Sequence, residues 1–283
     1  MEIRETGYIP WQGTLQESGW RGWPIFKHGV ITVFQRKKAK LLFAFAALPF
    51  LIFAVAVYAS LRPELRMMTH MVKELSSDLS IFHTFYTNNF LLFTLAILAL
   101  FSGGDAVALD RKHNAFPLLF ARPLSRFDYL TGKFSYILFY ILLFSLVPGL
   151  LLLTIKVVFS GSLSLSLRLV FAALVYPLPP ARLFGSVTLG VASVTKNEHV
   201  AKVSIFGFYV ASNILSNIVL PGRLFTRSNL GFLSLQQNLK RFGNLLFGFG
   251  GEPAWKGLLA ILIIFFWSGL ALWIAYRRIG KEG

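Results

Sequence analysis

The chain has 283 residues, of which 55% are hydrophobic and 14% are charged, and its mean hydropathy is +0.63. Soluble domains carry about 25% charged residues, so this composition excludes an ordinary soluble fold and predicts an all-α integral membrane protein. Cysteine is absent, which excludes disulfide bonds and thiolate metal sites.

The formal net charge is +16, which in a soluble protein would suggest a nucleic-acid partner. Here the basic residues gather at the ends of apolar segments, where they meet anionic lipid and set the topology. We therefore predict membrane lipid, and no nucleic acid, as a partner.

Residues 1–40 form a polar and aromatic arm that lacks the apolar centre of a cleavable signal peptide. In this arm Trp23, Phe26, Val30 and Val33 recur at helical spacing among basic residues. This pattern predicts an amphipathic helix along the membrane surface. An ordinary basic segment beside the membrane is the alternative.

A membrane-spanning helix needs about 20 mainly apolar residues, and six segments approach that length. These predicted spans, which make up a transmembrane domain at 41–276, are approximately 41–60, 82–103, 134–155, 169–192, 203–220 and 257–276. Pro177, Pro179 and Pro180 interrupt the fourth span, which also carries Arg182. A charge at that depth is either functional or shielded by water or a neighbouring helix.

Taken together, the arm, the connections after the second and fourth spans and the C-terminal tail 277–283 contain 17 Lys and Arg residues, and the other connections contain 10. Because positive charge favours the cytoplasmic side, both termini are predicted to be cytoplasmic.

Two connections are longer than this topology needs. Residues 105–133 predict a compact cytoplasmic loop, and residues 221–256 predict surface or re-entrant helices on the outer side.

The sequence has no recognisable catalytic or nucleotide-binding motif. It contains no nucleotide-binding loop, zinc-protease signature or serine-hydrolase signature, and its five histidines are too scattered for a local metal site. All twelve Asp and Glu residues fall in predicted tails or loops, whereas carriers driven by protons or sodium usually hold a carboxylate within the membrane. We predict no catalytic site, no metal and no cofactor, and an energy source outside this chain.

The loop at 105–133 has a distinctive sequence. Asp110-Arg111-Lys112 follows an apolar span, then come Leu118-Leu119 and the run 121–126, and Gly132-Lys133 opens the next span. Ser125 and Asp128 are spaced as a variant capping box. With these features the chain resembles the membrane (permease) subunit of type-2 ATP-binding-cassette (ABC) exporters, and the resemblance extends to the amphipathic entry helix and the six-span plan.

The resemblance implies that the loop contains a coupling helix, which contacts a separate ABC-type ATPase subunit that binds the ATP. It also implies a homodimer or a pair with a related permease subunit. The residues that would face the ATPase are Asp110, Arg111, Lys112 and His113. Those that would fix the geometry of the loop are Pro123, Ser125 and Arg126. The alternative is that these charges are merely solvated and set the topology.

The predicted function is therefore that of a permease subunit, in the inner (plasma) membrane, that exports or flips a substrate when the partner hydrolyses ATP. A non-transporting membrane scaffold or assembly protein is the alternative. A self-sufficient carrier or membrane enzyme is disfavoured by the missing intramembrane carboxylates and catalytic motifs.

Overall fold

The computed structural model of the chain describes residues 19–61, 77–121, 124–160, 166–217 and 231–280. This part of the chain is helical and contains no strand. Its α-helices are α1 (Trp23–Gln35), α2 (Lys37–Leu61), α3 (Asp78–Thr87), α4 (Asn89–Gly103), α5 (Ala108–Lys112), α6 (Phe116–Phe120), α7 (Arg126–Ser160), α8 (Leu167–Val175), α9 (Leu178–Ala192), α10 (Glu198–Asn217), α11 (Leu235–Phe247) and α12 (Ala254–Ile279), with a 3₁₀ turn at Gly231–Leu233.

The predicted all-α membrane class is confirmed. Five segments among the described residues are long and apolar enough to cross a membrane: Lys37–Leu61, Asn89–Lys112, Arg126–Ser160, Leu167–Ala192 and Ala254–Ile279. They correspond to the predicted spans one to four and six. Helix α10, which covers most of the predicted fifth span at 203–220, is not among the five. The number of six spans therefore stays a prediction.

The long helices run between two ends of the bundle, which we name the loop end (Arg36, Asp105 and Lys202) and the far end (Asn89 and α11). Helix α10 begins at the loop end, where Lys202 lies 3.7 Å from Asp105. It extends to the far end, where Asn213 accepts a hydrogen bond of 2.7 Å from the Ser234 hydroxyl. Helix α10 therefore spans the same distance as its apolar neighbours, which supports a sixth crossing.

Two of the predicted spans are broken near the far end. The second divides at Asn88 into α3 and α4, and the Asn88 side chain accepts a hydrogen bond from the Phe90 amide at the start of α4. The expected interruption of the fourth span is confirmed, since α8 ends at Val175 and α9 begins at Leu178. The prolines after that break occupy the first turn of α9. Proline is tolerated there because the first N–H groups of a helix have no acceptor within the helix.

The helix predicted in the N-terminal arm is present as α1, which packs against α7, and its place along the membrane surface stays a prediction. A Cβ atom on Gly132 of α7 would lie only 2.8 Å from the Gly22 carbonyl oxygen, so this glycine permits the close approach. The Tyr140 hydroxyl donates to the Val30 carbonyl at 2.6 Å. Because α1 starts beside the first turns of α7 and α12 ends beside Arg126, both ends of the described chain lie at the loop end.

Helix α11 closes the far end by packing over α3, α8 and α12. Its first turn is capped by the Ser234 hydroxyl, which accepts from the Gln237 amide, and Gly248 ends it in the left-handed conformation at φ +78°. The Arg168 side chain donates to the carbonyl of Leu246 in the last turn. This helix falls in the connection where surface or re-entrant helices were expected; residues 218–230 lie outside the described residues.

Neutral hydrogen bonds and stacked rings hold the far end together. The buried Tyr86 and Tyr176 hydroxyls donate to the carbonyls of Ala173 and Leu239, and His83 Nε2 lies 2.7 Å from Asn244 Oδ1. Buried polar groups are stabilised when they find such partners. Helix α11 is thus fixed to α3 and α8 without an ion pair among these groups.

Candidate functional site

The candidate site is the loop end, where the loop folds as the two short helices α5 and α6. Asp110 of α5 is half-buried and accepts a hydrogen bond of 2.6 Å from the Tyr129 hydroxyl. It also forms an ion pair of 2.8 Å with Lys133, one helical turn further along α7. Charge-assisted hydrogen bonds of this length are among the stronger ones in proteins. The first half of the loop is therefore bound to the first two turns of α7.

Arg111 ties the same short helix to α9. Its side chain is 8% exposed, and Nη1 donates to the carbonyl oxygen of Ser193 at 2.5 Å. Ser193 is the C-cap of α9, where carbonyl groups lack partners within the helix and the helix dipole favours a cation. Adjacent residues of one loop helix thus hold two different long helices.

The exposed surface of the loop lies just beyond these two residues. Lys112 and His113 are exposed, and Asn114 forms the turn between α5 and α6 with φ +50°. On α6, Leu118 is 73% exposed. An exposed leucine beside cationic groups is a surface suited to contact with another protein.

The second half of the loop ends in the expected capping box, which the hydrogen bonds confirm. The Asp128 amide donates to the Ser125 hydroxyl at 3.0 Å, while the Ser125 amide donates to Asp128 Oδ2 at 3.2 Å. Arg126 extends toward the end of α12, where a Cβ atom on Gly280 would lie 2.8 Å from its Nη1. Pro123, which was expected to help fix the loop, lies outside the described residues.

The loop end also contains an ionic cluster that the sequence reasoning missed. Asp105, whose side chain is 6% exposed, pairs with Arg36 Nη1 at 2.6 Å and lies 3.7 Å from Lys202 Nζ. Lys202 is in turn 3.5 Å from Glu198. These residues join the hinge between α1 and α2, the turn after α4, and the start of α10. Glu198 and Lys202 are four residues apart, but Arg36 and Asp105 are far from them and from each other in sequence, so no local pattern marks the whole cluster.

A cavity of about 390 Å³ separates α1 from the loop. The charged groups on its wall are those already described, and its apolar wall comes from α1, α5 and α6. The residues that matter here are Arg36, Asp105, Asp110 and Lys133. The acidic groups on this wall are paired with the basic ones, so these four residues leave no isolated charge in the cavity.

Arg182, the other candidate from the sequence, lies apart from the loop end. It is in the second turn of α9, half-buried, with its guanidinium 4.6 Å from the centre of the Phe265 ring on α12. Its buried Nε atom makes no hydrogen bond within the described part of the chain. A charged side chain at the centre of a bilayer costs about 2.5–3.5 kcal/mol or more, so this placement needs compensation.

The described residues of the loop connect α5 to two of the long helices through Asp110 and Arg111. Among the described residues, no three His, Cys, Asp or Glu side chains are close enough together to hold a metal ion. The two carboxylates at the centre of the site are each held by cations, which favours a structural role for both.

A comparison with family models supplies the identification. The model described as ABC-2 family transporter protein matches residues 31–247, from α1 to the end of α11. The chain belongs to this family. The matched region contains the loop, the ionic cluster and the far end. No individual curated protein matches the chain.

Membership gives the chain its general role. ABC-2 family proteins are the membrane components of ABC transporters and work with an ATP-binding subunit. The resemblance drawn from the sequence is thereby confirmed at the level of the family. The roles of the individual loop residues and of Arg182 stay predictions.

Proposed function

We propose that this chain is the permease subunit of an exporter in the plasma membrane, driven by ATP hydrolysis in a separate subunit that contacts the loop at 105–133. Both termini and the loop are cytoplasmic in this proposal. The permease works as a pair, either with a second copy or with a related subunit.

One observation carries the proposal: the side chains of Asp110 and Arg111 are bonded to α7 and α9 instead of being free in solvent. The exposed turn beside them, at Lys112 to Asn114, is available to a partner. A push on that turn would pass through two short polar contacts into two long helices. Packed helices respond to such a push as rigid bodies.

In this mechanism the loop residues divide into two groups. Leu118, Lys112 and His113 contact the ATPase, while Asp110 and Arg111 pass its movement to the membrane helices. Ser125 and Asp128 keep the start of α7 ordered, so that the movement is not absorbed by fraying. The proposal departs from the sequence-based expectation in giving Asp110 and Arg111 an internal role.

The proposal is tested by purifying the tagged chain from its native membrane in mild detergent and measuring vanadate-sensitive ATP hydrolysis by the partner that accompanies it. A stoichiometric P-loop ATPase is expected. Leu118→Glu should lower its recovery about fivefold or more, since burying a new charge in an interface costs about 1 kcal/mol or more.

Leu233→Glu is the matched control, because Leu233 is also an exposed leucine, at 51%, but lies at the far end. It should leave recovery of the ATPase unchanged. An intact, monodisperse chain without any ATPase would contradict the proposal and favour a scaffold. Equal losses in both variants would place the contact elsewhere.

A further inference from the structure

Arg182 is a half-buried cation, far from both ends of the bundle, whose charge nothing in the described part of the chain balances. Its ring partner Phe265 lies near the middle of the apolar part of α12, about 12 Å from Gly257 at 1.5 Å per residue. Since the hydrocarbon core is about 30 Å thick, Arg182 is close to the centre of the membrane.

The acidic side chains that the structure describes all lie near the ends of the bundle. Asp105, Asp110, Asp128 and Glu198 are at the loop end, and Glu252 pairs with Arg241 and Lys256 at the far end. None of them is at the depth of Arg182. A second copy of this chain would bring the same acids at the same depths, so it would not supply the missing anion from these residues.

The surroundings of Arg182 indicate what kind of molecule brings the anion. Phe265 is 49% exposed, and Leu262 and Phe266 beside it on α12 are 66% and 65% exposed. Leu178, one turn before Arg182 on α9, is 52% exposed. The guanidinium thus lies at the edge of a broad apolar surface. An anionic head group joined to a hydrocarbon tail matches both parts, because the head group pairs with the cation and the tail covers the leucines and phenylalanines.

We propose that Arg182 and Phe265 form an intramembrane binding site for the anionic head group of a lipid-like amphiphile. The guanidinium donates to the phosphate or carboxylate from its outward nitrogens, while the Phe265 ring holds its plane in position. The acyl chains lie along the exposed face of α12. The site does not depend on the ATPase, so this proposal is tested independently of the proposed function.

The test is native mass spectrometry of the purified complex in mild detergent with added phosphatidylglycerol or phosphatidylcholine. The parent protein should retain phosphatidylglycerol in preference to phosphatidylcholine. Arg182→Gln should lower that retention about tenfold, the effect of losing a charge-assisted hydrogen bond, whereas Arg182→Lys should keep most of it. Equal retention of the two lipids by the parent protein would overturn the proposal even if Arg182→Gln does not fold.

Arg277→Gln is the matched control. Arg277 also lies over an aromatic ring of α12, 4.4 Å from the centre of the Trp273 ring, but at the loop end. This variant should lower phosphatidylglycerol retention much less than Arg182→Gln does, because it removes only charge at the membrane edge. Equal loss in both variants would mean that the lipid binds by general surface charge and would overturn the site.

Two further results would also overturn the proposal. Glycerol 3-phosphate has the same anionic group without a tail, and effective competition by it would indicate a water-filled crevice instead of an amphiphile site. Loss of a co-purifying protein from Arg182→Gln, with lipid retention unchanged, would show that a carboxylate of a partner protein balances the charge.

Discussion

The two ends of the bundle are built from different interactions. At the loop end, ion pairs to Asp105 and Asp110 join segments that are far apart in sequence. At the far end, neutral hydrogen bonds and aromatic rings around Tyr86 and Tyr176 fix α11 to its neighbours, and the ion pairs of Glu252 join only α11 to the start of α12, the next helix in sequence. Ion pairs tolerate small changes of geometry more readily than interlocked rings do. The difference indicates a loop end that moves as jointed parts and, at the far end, a packed unit of α3, α8, α11 and α12 against which the end of α7 moves.

The largest effect is expected from Asp105→Asn at the loop end. The amide keeps the shape of the side chain but leaves Arg36 without its counter-charge and Lys202 with Glu198 alone. Removing one partner of a buried ion pair costs about 3–5 kcal/mol, and we expect about 2–3 kcal/mol because Arg36 is 35% exposed. The measurement is the free energy of unfolding in detergent.

A double variant separates the effect of the pairing between Asp105 and Lys202 from the effect of losing the carboxylate. Asp105→Asn combined with Lys202→Met removes a cation together with its partner and should be less unstable than the sum of the two single variants. A double variant as unstable as the sum of the two single variants would show that Lys202 does not interact with Asp105, and would weaken the description of the loop end as jointed.

Gly149→Ala tests the packing of the far end. A Cβ atom at Gly149 in α7 would lie 1.7 Å from the hydroxyl oxygen of Tyr86, which is fully buried and bonded to Ala173. Overpacking of this kind costs about 1–3 kcal/mol. The thermal unfolding midpoint should fall. Gly269→Ala on α12, where the new Cβ atom meets nothing within 4 Å, should leave the midpoint unchanged or slightly raised.

A smaller, local effect at the loop end is expected from a change in the capping box of α7. Ser125→Ala removes the hydroxyl that accepts from the Asp128 amide, which should cost about 1 kcal/mol. Amide hydrogen exchange should become faster at residues 126–129 and stay unchanged in α11. Unchanged exchange in the first turn of α7 would show that the capping box does not order it.

The smallest effect is expected for Arg168→Met at the far end. Arg168 donates to the carbonyls of Leu245 and Leu246, but it is exposed, so its loss should cost only about 0.5–1 kcal/mol. Hydrogen exchange at the last turn of α11 should rise modestly. Arg277→Met, which changes an arginine that binds no α11 carbonyl, should have no effect there; a similar rise in both variants would contradict this role of Arg168.

Local sequence signals predicted much of the fold. The apolar segments predicted most of the long helices, the prolines at 177–180 predicted the break before α9, and the Ser125–Asp128 spacing predicted the cap of α7. Each of these depends on residues a few positions apart, so it is readable without the fold. The break at Asn88 also had a local signal in the Asn88-Asn89 pair, which an apolar window of about 20 residues conceals.

The long-range contacts could not be predicted in this way. The partners of Asp105 lie in α10 and at the hinge before α2, and the acceptor for Arg111 is a backbone carbonyl of Ser193. The sequence of a charged run such as Asp110-Arg111-Lys112 does not show which of its residues are solvated and which are buried. Only the packing of the helices reveals that Asp110 and Arg111 are directed inward while Lys112 is exposed.

The central claim is that Asp110 and Arg111 pass movement of the loop into the long helices. Since the chain has no cysteine, spin labels can be placed on introduced cysteines at Val158 of α7 and Leu258 of α12, both exposed near the far end. The distance between them is then measured by pulsed electron resonance, in the complex with its ATPase, without nucleotide and with ATP and vanadate.

We expect a nucleotide-dependent change in that distance for the parent protein. The change should be lost in Asp110→Asn/Arg111→Gln, while the complex still hydrolyses ATP. An identical change in the double variant would contradict the account, and so would no change in a parent complex that hydrolyses ATP.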